Sequence, residues 1–187
     1  MLVAGSHAPP FKLKCSQYRD TTLEDYRGKR LILAFYVADW HPVCTAQLRR
    51  YRELLPDLQR LSAELVAISA DTVWSHAAFA SAYQLPFPLL SDDRPRGRTA
   101  RAYGVREAPR QGGRRGLCLI DTDGTIAWSA AFPEAVDPGA DGFLTALEAL
   151  SAPVGRVGGD APRPHPTVRC RRPSHILQRS GRAQIRP

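Results

Sequence analysis

The chain has 187 residues, 43% of them hydrophobic and 24% charged, which is enough to bury one substantial core and too mixed for a collagenous, mucin-like or wholly disordered protein. Its longest apolar stretches, such as 31–38, stop well short of the ~18 residues of a membrane span, so no transmembrane helix and no membrane partner are expected. The net charge of +8 belongs to one end: residues 1–150 carry 18 Lys and Arg against 17 Asp and Glu, whereas 151–187 carry eight Arg and one acid, Asp160.

FKLKC (11–15) is a short apolar strand. The run RLILAFYV (30–37) is too short for a helix and suits a strand buried on both faces. Leu48, Tyr51, Leu55 and Leu58 then recur at three- and four-residue spacing, the stripe of an amphipathic helix with Pro42 in its first turn. Pro56 is expected to kink or break that helix, because its ring removes a backbone donor. ELVAISA (64–70) predicts a second buried strand, and 72–84 a second helix capped by Asp71 or Thr72. A short strand near 87–90, a short helix near 97–103 and a strand over 116–121 follow. Asp123-Gly124 marks a tight turn, after which TIAWSAAF (125–132) returns antiparallel. A last amphipathic helix covers 138–150, with Phe143, Leu144, Leu147 and Leu150 on its apolar side. This order predicts an α/β fold, a mixed central sheet covered by helices, over 1–150. Residues 151–187, rich in Pro, Gly and Arg without periodicity, predict a disordered basic tail.

The N-terminus MLVAGSHAPPFK has neither the basic nor the apolar region of a secretory signal, so a cytoplasmic protein is expected. Four cysteines, none in a CxxC pair, are too scattered for a disulfide framework. Sites in sheets of this kind lie beyond the carboxyl ends of the strands, and the turn after the first buried strand reads Val37-Ala38-Asp39-Trp40-His41-Pro42-Val43-Cys44. Cys44 sits where the helix begins, so its sulfur meets the partial positive charge of unpaired N–H groups, which favours the nucleophilic thiolate. Cys15 and Cys118 lie within apolar strands and read as core fillers. Cys170 is flanked by Arg169, Arg171 and Arg172 in the tail.

FYVADWHPVCTAQL (35–48), followed by RRGLCLIDTDGTIAWS (114–129), resembles a peroxiredoxin of the alkyl hydroperoxide reductase/thiol-specific antioxidant type over residues 4–150. The resemblance implies a thioredoxin-like sheet with helices on both faces and a thiol-dependent peroxidase of the one-cysteine or bacterioferritin-comigratory-protein-like type. The family's Pro-x-x-x-Thr/Ser-x-x-Cys motif places the peroxidatic cysteine on Cys44, and its arginine on Arg115. Arg114 competes with it, although strand alternation sends the two opposite ways. Two positions depart from the motif: Val37 stands at its proline and His41 at its Thr/Ser. His41 can still offer a donor near Cys44, and its plainer reading is a residue capping the turn. The resemblance implies that Cys44 becomes sulfenic acid on attacking a hydroperoxide. Of the family's positions for a resolving cysteine, one holds Arg49, a second falls in the cysteine-free helix 72–84, and a third, C-terminal, is matched poorly by Cys170, which Arg171 follows in place of proline. Reduction by thioredoxin or another external thiol is therefore expected, with no cofactor and with a homodimer left open.

Two alternatives follow from the same residues. Trp40-His41-Pro42-Val43-Cys44 resembles the Trp-Cys-x-x-Cys site of a thioredoxin-like disulfide oxidoreductase, but His41 stands where the attacking sulfur belongs. The arginine tail suggests sequence-blind nucleic-acid binding, yet it carries no folded recognition motif and no interleaved aromatics, so nucleic acid is not expected as a partner. His41 and Cys44 are two ligands only, too few to predict a metal site.

Overall fold

The computed structural model describes residues 1–16, 19–105 and 114–151. The basic tail over 152–187, with Cys170, lies outside the described residues. Seven strands form one sheet: β1 (Lys12–Ser16), β2 (Arg19–Thr22), β3 (Arg30–Phe35), β4 (Ala63–Ser69), β5 (Leu89–Ser91), β6 (Arg114–Ile120) and β7 (Ile126–Pro133). The helices are α1 (Pro42–Arg60), α2 (Val73–Tyr83), α3 (Arg98–Ala102) and α4 (Asp141–Ser151), with a 3-10 turn at Leu23–Tyr26. Across the sheet the order is β2-β1-β5-β4-β3-β6-β7. β3, β4 and β5 run parallel, while β6 pairs antiparallel with β3 and with β7. This is the mixed, thioredoxin-like sheet that the sequence predicts.

The two faces of the sheet have separate cores because successive side chains of a strand point opposite ways. Ile32 and Ala34 of β3 and Leu117 and Leu119 of β6 pack with Leu48, Tyr51 and Leu58 of α1, Phe79 of α2, and Phe143 and Leu147 of α4. Leu31, Leu33 and Phe35 of β3 and Cys118 and Ile120 of β6 face the other way, against Phe11, Leu13, Cys15, Tyr26 and Tyr103. Both parallel connections, β3-α1-β4 and β4-α2-β5, put their helices on one face, as two right-handed crossovers in the same direction require. Gly116 in β6 allows close packing on the far face, since a Cβ there would stand 2.4 Å from Cγ2 of Val105.

Two local features differ from the expectation. Strand β2, with the sequence RDTT, has no apolar alternation of its own and is held by its register with β1 (Lys12 opposite Thr22, Leu13 opposite Thr21). Helix α1 passes through Pro56 without ending. The proline removes one helical donor, and the burial of Leu58 beyond it, with Leu54 and Leu55 packed on the same core, offsets that loss and carries the helix on to Arg60. Replacing Pro56 with Ala restores the donor and is expected to raise stability by about 2 kcal/mol in urea unfolding, the helix gain exceeding the lost stiffening of the unfolded chain. A loss of stability would mean that the helix is shaped around the ring.

Candidate active site

Cys44 occupies the third position of α1, after Pro42, whose missing N–H is no loss there. The first helical hydrogen bond runs from the Thr45 N–H to the His41 carbonyl at 2.9 Å, so the N–H groups before it belong to the unpaired first turn. The Cys44 side chain is fully buried, on the helix face that also carries Gln47, Leu48 and Tyr51.

Arg115 meets it from β6. Alternation puts Arg115 on the same face of the sheet as Leu117 and Leu119, and thus against α1. Its side chain is also completely buried. Nη1 donates to Cys44 Sγ at 3.2 Å and to Gln47 Oε1 at 2.8 Å, and Nε donates to the Glu134 carbonyl at 2.8 Å. Nη2 lies 3.4 Å from His41 Nδ1. A guanidinium has no acceptor atom, so Nδ1 must accept, and the neutral ring then carries its proton on Nε2. That nitrogen faces Glu134 Oε1 at 3.6 Å. His41 is the N-cap residue, yet its side chain makes no capping hydrogen bond, so it does not cap the turn. The side chain of Arg114 lies outside what is described.

The line of contacts continues into the core. Gln47 Nε2 donates to the Tyr51 hydroxyl at 3.1 Å, and that hydroxyl donates to the Gly139 carbonyl at 2.9 Å, which fixes the orientation of the Gln47 amide. A buried cation thus meets a thiol, an amide oxygen, a carbonyl and an imidazole at contact distance. Sequence reasoning found Cys44, Arg115 and His41, which the structure brings together. It missed Gln47, whose signal was a polar residue three positions after Cys44 within an otherwise apolar stripe.

It also missed a second buried cluster under the same turn. Tyr36 donates its hydroxyl proton to Asp39 Oδ1 at 2.7 Å, and His76 Nδ1 meets Asp39 Oδ2 at 2.9 Å. The backbone N–H of Asp39 donates to Asp71 Oδ2 at 2.8 Å. Burial opposes ionisation of Asp39, but hydrogen bonding and charge from His76, aided by Ser75 and Tyr36, hold its carboxyl below the ordinary value. The next residue, Trp40, has φ +63°, a left-handed conformation that strains a bulky side chain by ~1–3 kcal/mol.

Cys118 is the other free thiol among the described residues. It is fully buried on the opposite face of the sheet, and burial pushes its thiol up to about 12. Cys15 lies on that same far face.

Residues 4–129 match the model of the AhpC/TSA family. A peroxiredoxin of Thermoplasma volcanium is 30% identical over 156 residues, 80% of this chain and 75% of its own. The chloroplastic peroxiredoxin Q of Sedum lineare is 44% identical over 89 residues, and that match spans 48%, about half, of either chain. The structure of the Xanthomonas campestris bacterioferritin comigratory protein, described for its alkyl peroxide reduction activity, superposes with a TM-score of 0.67 at 29% identity, covering 75% of this chain and 92% of its own.

Because Asp39 is held below its unfolded value near 3.9, its contribution to stability is complete above that value and is lost as pH falls through the lower folded value. Unfolding followed from pH 6 to pH 2 is expected to show this loss in the parent chain at the acid end, and a flatter profile in Asp39→Asn. Parallel profiles would refute the assignment.

Proposed function

The chain belongs to the AhpC/TSA family, and from that premise we propose that it is a thiol-dependent peroxidase in which Cys44 attacks hydrogen peroxide or an organic hydroperoxide. The observation that carries the reading is the 3.2 Å contact between a fully buried guanidinium and a fully buried thiol at the start of a helix. The Cys44 thiolate attacks the terminal oxygen of the hydroperoxide. A sulfur–oxygen bond forms, the O–O bond breaks, and the leaving alkoxide or hydroxide takes up one proton as alcohol or water, giving Cys44 sulfenic acid. Arg115 Nη1 holds the thiolate and stands where negative charge develops across the breaking bond. His41 acts in this reading through Arg115, fixing Nη2 from the side while Gln47 and the Glu134 carbonyl fix Nη1 and Nε.

Return to the thiol takes two equivalents of an external thiol, which become a disulfide as the sulfenic oxygen leaves as water. The placement of Cys118, the other free thiol among the described residues, across the sheet from Cys44 supports an external source rather than a resolving cysteine. Thioredoxin or a low-molecular-weight thiol fits that role. The disulfide-reductase alternative draws no support, since the imidazole facing Arg115 stands where a second sulfur would be needed.

Peroxide consumption in the presence of a thiol is expected to vanish in Cys44→Ser, and retained activity would overturn the reading. In Arg115→Gln the oxidation rate of Cys44 is expected to fall by roughly 10²–10³, the usual loss on removing one charge-stabilising donor, whereas His41→Ala, which leaves Arg115 in place, costs less. A His41→Ala loss equal to that of Arg115→Gln would instead make His41 a direct participant.

A further inference from the structure

Helix α2 contributes no atom to the Arg115–Cys44 contact, yet it grips the turn just before it. His76, Phe79 and Tyr83, at spacings of three and four, share one face of α2. His76 binds the Asp39 carboxylate at 2.9 Å, with side-chain exposures of only 2% and 1% for the pair. Trp40 lies across the other two, its ring edge-on to Phe79 at 5.2 Å and tilted against Tyr83 at 6.0 Å. The indole is half exposed, so it covers this aromatic face from outside while the Asp39–His76 pair closes it from within.

The pair is a poor device for stability alone. A buried ion pair in a core is often replaceable by apolar groups of similar size without loss, and here the Nε2 atom of His76 is buried with no partner among the described residues. What the pair does fix is place: Asp39 is held by its side chain to His76 and Tyr36 and by its backbone to Asp71, and Trp40 is held in a left-handed conformation directly before His41. The N-cap of α1, and with it Cys44, starts from those two residues.

We propose that Asp39 and His76 are positioning residues for the peroxidatic step, a clasp through which α2 holds the 39–41 turn so that His41, Cys44 and Arg115 keep their geometry. The inference rests on the peroxidase reading of Cys44. It separates the two half-reactions. Attack on a peroxide needs the clasped turn, because the thiolate and guanidinium must be in register. Reduction of the sulfenic acid needs a thiol to reach a sulfur that the clasped turn leaves fully buried, so a loosened clasp does not slow it.

The test is single-turnover kinetics on the full chain, with Cys44 oxidation by hydrogen peroxide and its re-reduction by dithiothreitol each followed by mass spectrometry of the Cys44 peptide. Asp39→Asn and His76→Ala are expected to slow oxidation by roughly tenfold or more, as a small misplacement of reacting groups does, while reduction is unchanged or faster. His76→Asn, whose side-chain N–H can take the place of Nδ1–H, is expected to recover most of the oxidation rate. Trp40→Ala, a change at an exposed ring that loosens the outer half of the clasp, is expected to shift both rates in the same directions and carries the test if the buried variants fail to fold. Equal slowing of both half-reactions would reduce the pair to a structural role and overturn the proposal, as would variants indistinguishable from the parent. A parent chain whose Cys44 is not oxidised overturns the peroxidase reading and the clasp with it; an oxidised parent with parent-like variants overturns the clasp alone.

Discussion

A fully buried guanidinium is the constraint around which the rest of this molecule is arranged. Arg115 is always charged, cannot reach water, and must find acceptors in fixed directions. They come from separate parts of the chain: Cys44 and Gln47 from the first turns of α1, His41 from the turn before it, and the Glu134 carbonyl from just beyond β7. Two of these partners are held in turn: His41 faces the Glu134 carboxylate, and the Gln47 amide is oriented through Tyr51 to the Gly139 carbonyl ahead of α4. On the opposite face of β6, Gly116 leaves room for Val105, which occupies the space of any side chain there. The charge therefore fixes the relative placement of β6, α1 and the chain leading into α4.

The pleat of the sheet then decides which thiols can take part. Arg115, Leu117 and Leu119 face α1, while Cys118 and Ile120 between and beyond them face the other core. A shift of one residue in the register of β6 against β3 would exchange these sets, bringing Cys118 to the helix face and turning the guanidinium away. The antiparallel pairing of Phe35 with Gly116 is thus as much a part of the site as the residues that touch Cys44.

Features with local causes were legible in the sequence. The strand at 30–37, Pro42 at the helix start and the stripe through Leu48, Tyr51 and Leu58 place Cys44 at a helix N-terminus by local pattern alone. Arg115 was legible only by family resemblance, since its significance lies in a contact 71 residues away and Arg114 offers the same local signal. Asp39 and His76 are 37 residues apart, and each alone reads as an ordinary polar residue of a turn or a helix face. Strand β2 escaped for a related reason: RDTT has no pattern of its own and becomes a strand only against β1. Pro56 shows the opposite failure, a strong local signal overridden by the packing of Leu58.

The replacement of a hydroxyl by imidazole at position 41 has a consequence for how the site meets its substrate. A hydroxyl can turn to donate or accept within one small volume, whereas the two nitrogens of a ring point in fixed and nearly opposite directions. In His41 one nitrogen accepts from Arg115 and the other carries the proton toward Glu134, so both are engaged by the protein. In the peroxidase reading, contact with a peroxide then falls to the guanidinium of Arg115 as a whole and to the unpaired N–H groups of the first turn of α1. A thiolate and a guanidinium side by side sum to no net charge, and residues 1–150 are themselves close to neutral at +1. In the peroxidase reading, a neutral peroxide gains little from electrostatic steering toward such a surface, so the rate of its reaction must come from how firmly the groups around Cys44 are held.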